Sequence, residues 1–468
     1  MLRSLQKRGK RYEIDMTEGP LLPKIIAFSV PLILTGILQL LYNAADVIVV
    51  GRFADGHEPL AAVSSTGSLI NLLVNLFMGL SVGASVVIAR CYGARDVVGM
   101  RKAEHTGMTL ALFMGIGVGI FGFLMARPLL EMMGSPADVI DKATIYVKIY
   151  FLGMPANMLY NFGAATLRAV GDTRRPMIYL MISGLVNVLL NLLLVIAFHL
   201  DVEGVAIATV ASQVISAALV LMCLFRTRGV TQLVLSECRV DWKSARQMIR
   251  IGLPAGLQGS LFSISNVMIQ SSINSLGSVV MAGNGVACNI EGFVYVAMNA
   301  QHQADMTFAS QNYGAGKYDR VKKTMWYCLG TVTVIGLSMG LLILLFGSQL
   351  MGLYNSDPDV IAAGLVRMSV ILPTYFLCGL MDVMVGQLRG IGYSIMPMIV
   401  SLVGVCVYRI IWILTIFAAQ TEPDAAQHVL YMSYPISWGM TFAAHMMCYQ
   451  LIAKKKLKQV SGARRQND

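Results

Sequence analysis

Forty consecutive residues, 251–290, carry no formal charge, and this stretch constrains the fold more than any other feature of the sequence. About 20 apolar residues suffice for one helix to cross the roughly 30 Å hydrocarbon core of a bilayer, so the stretch holds two spans. Leu276, Gly277 and Ser278 supply the turn between them. Of the 468 residues, 56% are hydrophobic and only 13% are charged, whereas a soluble domain carries about 25% charge. The pattern predicts an all-α membrane protein.

Uncharged apolar stretches of this kind recur along the whole chain and divide it into twelve predicted transmembrane helices. The first six are 25–50, 60–89, 104–126, 143–167, 177–199 and 204–225; the second six are 251–275, 280–305, 324–352, 361–388, 396–419 and 428–453. The predicted domains are an N-terminal segment 1–24, an N-lobe 25–225, a polar linker 226–248, a C-lobe 249–453 and a basic tail 454–468.

The two lobes repeat one another. Three segments match in one order at nearly one offset, which indicates an internal duplication. Each half has six spans, so both halves begin on the same side of the membrane. The two six-helix bundles are therefore related by a pseudo-two-fold axis along the membrane normal. We expect the substrate path to lie between them. The matching segments are 29–31 with 252–254 at an offset of 223, and 90–94 with 311–315 and 167–177 with 388–398 at an offset of 221.

The basic residues are unevenly distributed about these spans. Thirty of the 36 lie on the side of the two termini, and only Arg52, Arg127 and Lys142 lie in loops on the other side. Basic loops face the cytoplasm, so both termini are predicted inside a multi-pass protein of the cell inner membrane. The N-terminus lacks the features of a cleaved signal peptide. Nucleic acid is not expected as a partner; the basic tail is expected to meet anionic membrane lipid, and the protein is expected to act as a monomer.

Motifs of enzyme chemistry are missing from the sequence. The eight cysteines are scattered without a CxxC pair, so a disulfide framework and a zinc site lack support. The signatures GxxxxGK[ST] and HExxH do not occur, and the two GxSxG matches, 79–83 and 336–340, lie inside predicted helices rather than at a strand-to-helix turn. We therefore expect no enzyme activity and no cofactor other than Na⁺ or H⁺ as a coupling ion, and a small molecule as the substrate.

A polar stripe on the first predicted helix contains the clearest candidate functional residue. Gln39, Asn43 and Asp46 are spaced i, i+4, i+7 and share one helix face, with Tyr42 beside them. An ionisable side chain inside a bilayer is costly and indicates function by default. Asp46 is therefore the predicted coupling carboxylate.

Amides and a hydroxyl on two other helices complete the predicted N-lobe site. Asn187 and Asn191 lie one turn apart on helix 5, and Thr209 lies on helix 6. Together with Asp46, these oxygens suit a hard monovalent cation, although the carboxylate alone could carry a proton instead. Packing between helices is the alternative explanation for the amides and the hydroxyl.

Four charged residues within the C-lobe spans are candidates for function. Glu291 and Asp305 lie in helix 8, Asp382 in helix 10 and Arg409 in helix 11. They form a candidate substrate or proton site. We expect Asp382 and Arg409 to neutralise each other across adjacent helices, Glu291 to have no evident partner, and His302 to be a satisfied interior histidine.

Several motifs make the chain resemble the multidrug and toxic compound extrusion (MATE) family, in particular its prokaryotic DinF-like branch. The resemblance covers about residues 20–450. It implies a V-shaped pair of six-helix lobes and the export of drugs or amphipathic, often cationic, metabolites in exchange for Na⁺ or H⁺. The segments that carry it are 39–46 (QLLYNAAD), 50–52 (VGR), 79–83 (GLSVG), 167–176 (LRAVGDTRRP), 206–209 (AIAT) and 311–315 (QNYGA).

The resemblance also implies roles for particular residues. Asp46, Asn187 and Thr209 match the cation site of that branch, whereas Asn191 stands where the family pattern often has Asp. Helix 7 lacks the acid that some members have, with Phe262 near that place. A second hypothesis is a flippase for a lipid-linked or saccharide substrate, as in related proteins. A flippase would need several basic residues lining its cavity, and only Arg409 lies clearly deep in a span.

Overall fold

The computed structural model describes residues 13–53, 58–136, 138–227 and 229–465, and every regular element in these ranges is a helix. In these ranges the helices form twelve successive spans, which confirms the predicted all-α membrane fold. Spans 1 to 6 are Leu21–Phe53, Glu58–Gly93, Val97–Met132, the pair Ile140–Leu152 and Met154–Ala169, Arg174–Ala197, and Val202–Arg226. Spans 7 to 12 are Trp242–Asn274, Ser278–Gly314, Tyr318–Leu345, the pair Pro358–Thr374 and Phe376–Gly390, Ile395–Phe417, and Pro423–Arg465.

Length and hydropathy identify most of these spans as membrane-crossing. Within the described residues, eight helices are long and apolar enough, and span 10 adds a ninth as a pair bent by 48°. Span 4 is interrupted at Gly153, which divides it into two helices that are each shorter than a full crossing. Spans 7 and 12 contain more polar side chains than the others. Nearly all of the observed helices extend a few residues beyond their predicted bounds, because they continue past the apolar core of each span.

The duplication is visible in the backbone of the turns. Gly171 after span 4 has φ 95°, and Gly392 after span 10 has φ 96°. Arg95 after span 2 has φ 56°, and Gly316 after span 8 has φ 71°. Each pair is separated by the offset of 221 residues, and each occupies the left-handed region that glycine adopts most readily. The two halves therefore share turn geometry, both where they keep the same glycine and where one half has Arg95 in place of glycine.

The chain forms two compact units. The first consists of the chain up to Ser263 together with Thr307–Val321, and the second of Ile264–Met306 with the chain from Lys322 onward. In the first unit, a Cβ on Gly79 of span 2 would lie 2.1 Å from the backbone nitrogen of Gly256 of span 7. Small residues allow two membrane helices to approach closely, so these glycines bring the two backbones into contact.

These units do not test the predicted domain bounds, which remain a prediction. Residues 1–12 of the predicted N-terminal segment and 466–468 of the basic tail lie outside the described residues, as do the tail's side chains from 454 onward.

The segment before span 1 is anchored within the first unit. The Arg320 guanidinium and the Asn312 amide both donate to the carbonyl of Met16 at 3.1 Å, and the Lys317 ammonium donates to the carbonyl of Thr17 at 2.9 Å. These bonds place the start of span 1, and hence the helix that carries Asp46.

Candidate functional site

The structure brings Asp46 together with both predicted asparagines. The Asn191 amide nitrogen donates a hydrogen bond to Asp46 Oδ1 and lies 3.3 Å from Asn187 Oδ1. Asn187 and Asn191 are buried. Asn191 Oδ1 has no hydrogen-bond partner among the described residues. A carboxylate and amide oxygens therefore converge where spans 1 and 5 meet.

Two local features of span 5 position this group. Asn187 and Asn191 are one helical turn apart, so they point to the same neighbour. Directly after Asn191, the helix continues as a π-helical stretch, Leu193–Ala197. Such stretches frequently occur at functional sites.

Tyr42 packs span 1 against span 5. Its hydroxyl donates to the carbonyl of Met181 at 3.2 Å. Its ring fills the space beside Gly184, where a Cβ would lie 1.9 Å from Tyr42 Cε2. The absence of a side chain at Gly184 thus lets the two helices approach closely enough for Asp46 to reach Asn191.

Among the described residues, three predicted members of the site make no hydrogen bond to Asp46. Gln39 and Asn43 are exposed. The Thr209 hydroxyl donates to the carbonyl of Val205 at 2.9 Å, inside its own helix. In the part of the chain that the structure describes, Asn191 is the hydrogen-bond partner of the Asp46 carboxylate. The roles predicted for the other residues stay predictions.

Sequence reasoning missed two residues of the N-terminal half. Tyr146 of span 4 is buried and lies near Asp46. Glu104 is fully buried, and neither of its carboxylate oxygens has a hydrogen-bond partner among the described residues. Glu104 seemed to begin helix 3, but span 3 starts two turns earlier, at Val97. No sequence signal links Tyr146 to Asp46.

In the second unit, Glu291 has a partner, contrary to expectation. Arg367 Nη2 lies 2.7 Å from Glu291 Oε2, and Arg367 Nε lies 3.0 Å from Oε1, so the ion pair is bidentate. Both side chains are nearly inaccessible, at 6% and 4% exposure. Arg367 Nη1 also donates to Asn284 Oδ1 at 3.0 Å. Sequence spacing could not predict the pair, because Glu291 and Arg367 lie 76 positions apart on different helices.

The predicted pairing of Asp382 with Arg409 is wrong. Arg409 lies over the ring of Tyr434, 4.0 Å from its centroid, and donates from Nε to Ser437 Oγ at 3.0 Å. The charge that acts on Asp382 is that of Arg389. Arg409 lies between two π-helical stretches, Leu402–Val407 and Ile413–Phe417. Such stretches change the number of residues per turn, so a face predicted from 3.6 residues per turn does not hold.

The remaining C-lobe residues are dispersed. His302 Nδ1 donates to the carbonyl of Asp382 at 2.6 Å, which confirms a satisfied interior histidine. Asp305 is fully buried beside Cys328. Fourteen residues separate Glu291 from Asp305, which is about 21 Å along one helix. The four predicted residues therefore do not form a single site.

Comparison with known proteins identifies the family. The MatE family model matches residues 31–193 and 254–415, one segment in each half. The chain belongs to the MatE family. Its members are multi-pass membrane transporters, in agreement with the twelve spans.

Individual relatives cover most of the chain. The probable multidrug resistance protein YoeA of Bacillus subtilis is 26% identical over 92% of this chain and 93% of its own length. The multidrug export protein MepA of Staphylococcus saprophyticus is 21% identical over 78% of this chain and 80% of its own length. A solved structure of MATE in complex with MaL6 superposes with a TM-score of 0.88 at 22% identity, over 95% of this chain and 98% of the other. At that identity, the superposition shows the fold alone.

Proposed function

We propose that this protein is a secondary antiporter of the inner membrane that exports drugs or amphipathic metabolites in exchange for Na⁺ or H⁺. The observation that supports this most directly is the Asp46 carboxylate, which lies within span 1 and is hydrogen-bonded to a neutral amide rather than to a cation. Relatives named as multidrug resistance and multidrug export proteins support the substrate class and the direction of transport.

The chemistry of the group is suited to carrying one positive charge. An ionised carboxylate inside the membrane is costly, so binding of Na⁺ or of a proton stabilises Asp46 by removing its net charge. For Na⁺, Asp46 and the unpartnered oxygen of Asn191 supply the oxygen ligands that a hard cation prefers. For a proton, Asp46 alone suffices.

Loss of charge at Asp46 provides the coupling step. Pro31 lies within span 1 and cannot donate a backbone hydrogen bond, which makes it a bending point. We infer that the neutralised helix bends there and releases the substrate, whereas the charged state retains it. Ion and substrate then bind in alternation, which is what antiport requires.

The test is transport in proteoliposomes with Na⁺ and proton gradients imposed separately, using a panel of organic cations and anions. Asp46→Asn imitates the neutral state, so we expect normal insertion but at least a hundredfold loss of gradient-driven export. Glu131→Gln is the matched control, because it also converts a carboxylate to an amide but in an exposed ion pair with Arg127. Undiminished export by Asp46→Asn at matched protein amounts would refute the coupling role.

The orientation with both termini in the cytoplasm is part of the proposal, and rests on the distribution of basic residues. In a cysteine-less background, cysteines at Asp357 and Glu422 should react with an impermeant reagent added outside intact cells, and one at Lys317 should be protected. The opposite labelling pattern would reverse the orientation.

A further inference from the structure

Two buried arginines of the second unit share one aromatic ring. The guanidinium carbon of Arg367 lies 5.2 Å from the centroid of Tyr434, and that of Arg409 lies 4.0 Å from it. Both side chains are buried in the protein, with 5% and 4% of the residue exposed. Two like charges are thus held together inside a membrane protein.

Of these two arginines, Arg367 alone has a carboxylate partner among the described residues. Glu291 forms the bidentate pair with Arg367, and no carboxylate within the described residues pairs with Arg409. Arg409 Nη2 has no hydrogen-bond partner there. Asp382 interacts with Arg389 instead, and Asp305 lies about 21 Å along span 8 from Glu291. The cluster therefore holds one excess positive charge and one guanidinium N–H group without an acceptor.

Such an arrangement is costly unless an anion compensates for it. A buried charge without a partner is strongly unfavourable, and a cation–π contact returns only about 2 kcal/mol when desolvated. A guanidinium offers planar, paired N–H donors that match a carboxylate or a phosphate. The π-helical stretches on both sides of Arg409 are a second feature typical of functional sites.

Aromatic rings surround the excess charge. Trp438 lies 5.6 Å from the Arg409 guanidinium, stacks on Tyr375 at 5.4 Å and meets Tyr434 edge-on at 5.7 Å. Rings of this kind bind the apolar or aromatic body of a ligand while the arginine binds its charged group.

We propose that the Arg367–Arg409–Tyr434 cluster binds the carboxylate or phosphate group of an amphipathic aromatic substrate. The transported compounds then include organic anions, in contrast to the cations that the resemblance implies. The proposal rests on the proposed function only in that the protein carries an amphipathic small molecule.

A pair of dyes with one ring system and opposite charges tests the proposal. Binding of fluorescein, a xanthene carboxylate, and of rhodamine 6G, a xanthene cation, is measured by fluorescence polarisation with the full chain in lipid nanodiscs and without any gradient. We expect fluorescein to bind the wild type at least tenfold more tightly than rhodamine 6G. Equal binding of the two dyes, or tighter binding of the cation, would overturn the proposal.

Variants locate the site. Arg409→Gln should weaken fluorescein binding at least tenfold and leave rhodamine 6G binding unchanged or tighter, while Arg409→Lys, which keeps the charge, should retain part of the affinity. Thermal unfolding of each variant verifies that it is folded. Unchanged fluorescein affinity in folded Arg409→Gln would overturn the assignment.

Two further measurements make the outcome independent of transport. Cys288, which is exposed and lies near Arg367, should be alkylated more slowly when fluorescein is bound. Unchanged alkylation would count against the site. Arg127→Gln, which removes a basic residue from an exposed ion pair, should bind fluorescein as the wild type does. Neither measurement uses an ion gradient, so a failure of ion-driven export leaves the binding result intact.

Discussion

At the position equivalent to Asp46 in the duplication, span 7 carries Ile269, which is 2% exposed in an apolar cluster with Ile273 and Leu430. At the positions equivalent to Asn187 and Asn191, span 11 carries Tyr408 and Trp412. At these positions the N-terminal half therefore has a carboxylate beside amides, whereas the C-terminal half has apolar and aromatic side chains and holds its two buried arginines elsewhere. The duplication preserved the backbone plan, but the polar group around Asp46 exists in one half alone among the described residues.

The largest expected effect is in the C-terminal half. Glu291→Leu leaves Arg367 as a second uncompensated cation, which we expect to cost about 3–5 kcal/mol of folding free energy. Thermal unfolding in nanodiscs, together with the amount of folded protein, measures it. The double variant Glu291→Leu, Arg367→Leu should recover much of the loss, because it removes both charges.

Arg127→Gln is the matched control. The ion pair of Arg127 with Glu131 is exposed, so its loss should not change the unfolding temperature measurably. If Glu291→Leu were as stable as Arg127→Gln, the contrast between a compensated and an uncompensated charge would lose its basis.

An intermediate effect is expected in the N-terminal half. Asn191→Leu removes the donor to Asp46, and a hydrogen bond to a charged group contributes about 1.5–3 kcal/mol. Asn191→Asp instead places a second carboxylate beside the first, so like charges should destabilise the protein unless a cation is present. Thermal unfolding with and without Na⁺ measures the stability of both variants.

We expect Na⁺ to raise the unfolding temperature of Asn191→Asp more than that of the wild type, and to leave Asn191→Leu unaffected. A Na⁺ response that is the same in all three proteins would argue that this group does not bind the cation.

The smallest effects on stability are expected at glycines where two helices pack closely, one in each half. Gly184→Ala should cost about 1–3 kcal/mol, because a new Cβ would lie 1.9 Å from a Tyr42 ring atom, so the ring or the helix must shift. Gly404→Ala in the other half should cost less, because its nearest neighbour, at 2.2 Å, is the Thr441 hydroxyl, which can rotate.

Gly117→Ala should be neutral or slightly stabilising, since nothing lies within 4 Å of its Cβ position and alanine favours a helix over glycine. Unfolding temperatures in one lipid composition rank the three variants. Equal effects for Gly184→Ala and Gly404→Ala would show that the two contacts are equally rigid.

Sequence reasoning predicted the N-lobe group in part. An acid in an apolar helix and two amides one turn apart are local patterns, so Asp46, Asn187 and Asn191 could be selected from spacing and from the cost of buried charge. Which amide touches the carboxylate depends on how closely spans 1 and 5 approach, and Gly184 decides that. Tyr146 could not be found, because no local pattern connects span 4 to Asp46.

The twelve spans, the duplication and the choice of Asp46 followed from the sequence by itself, because hydropathy, charge distribution and helical periodicity are properties of neighbouring residues. The pairing of Glu291 with Arg367 and the position of Arg409 over Tyr434 were decided only by the tertiary structure. Those contacts join residues 76 and 25 positions apart on different helices. They depend on the direction in which each side chain points around its helix axis, and π-helical stretches change that direction. They also depend on the packing of one span against another.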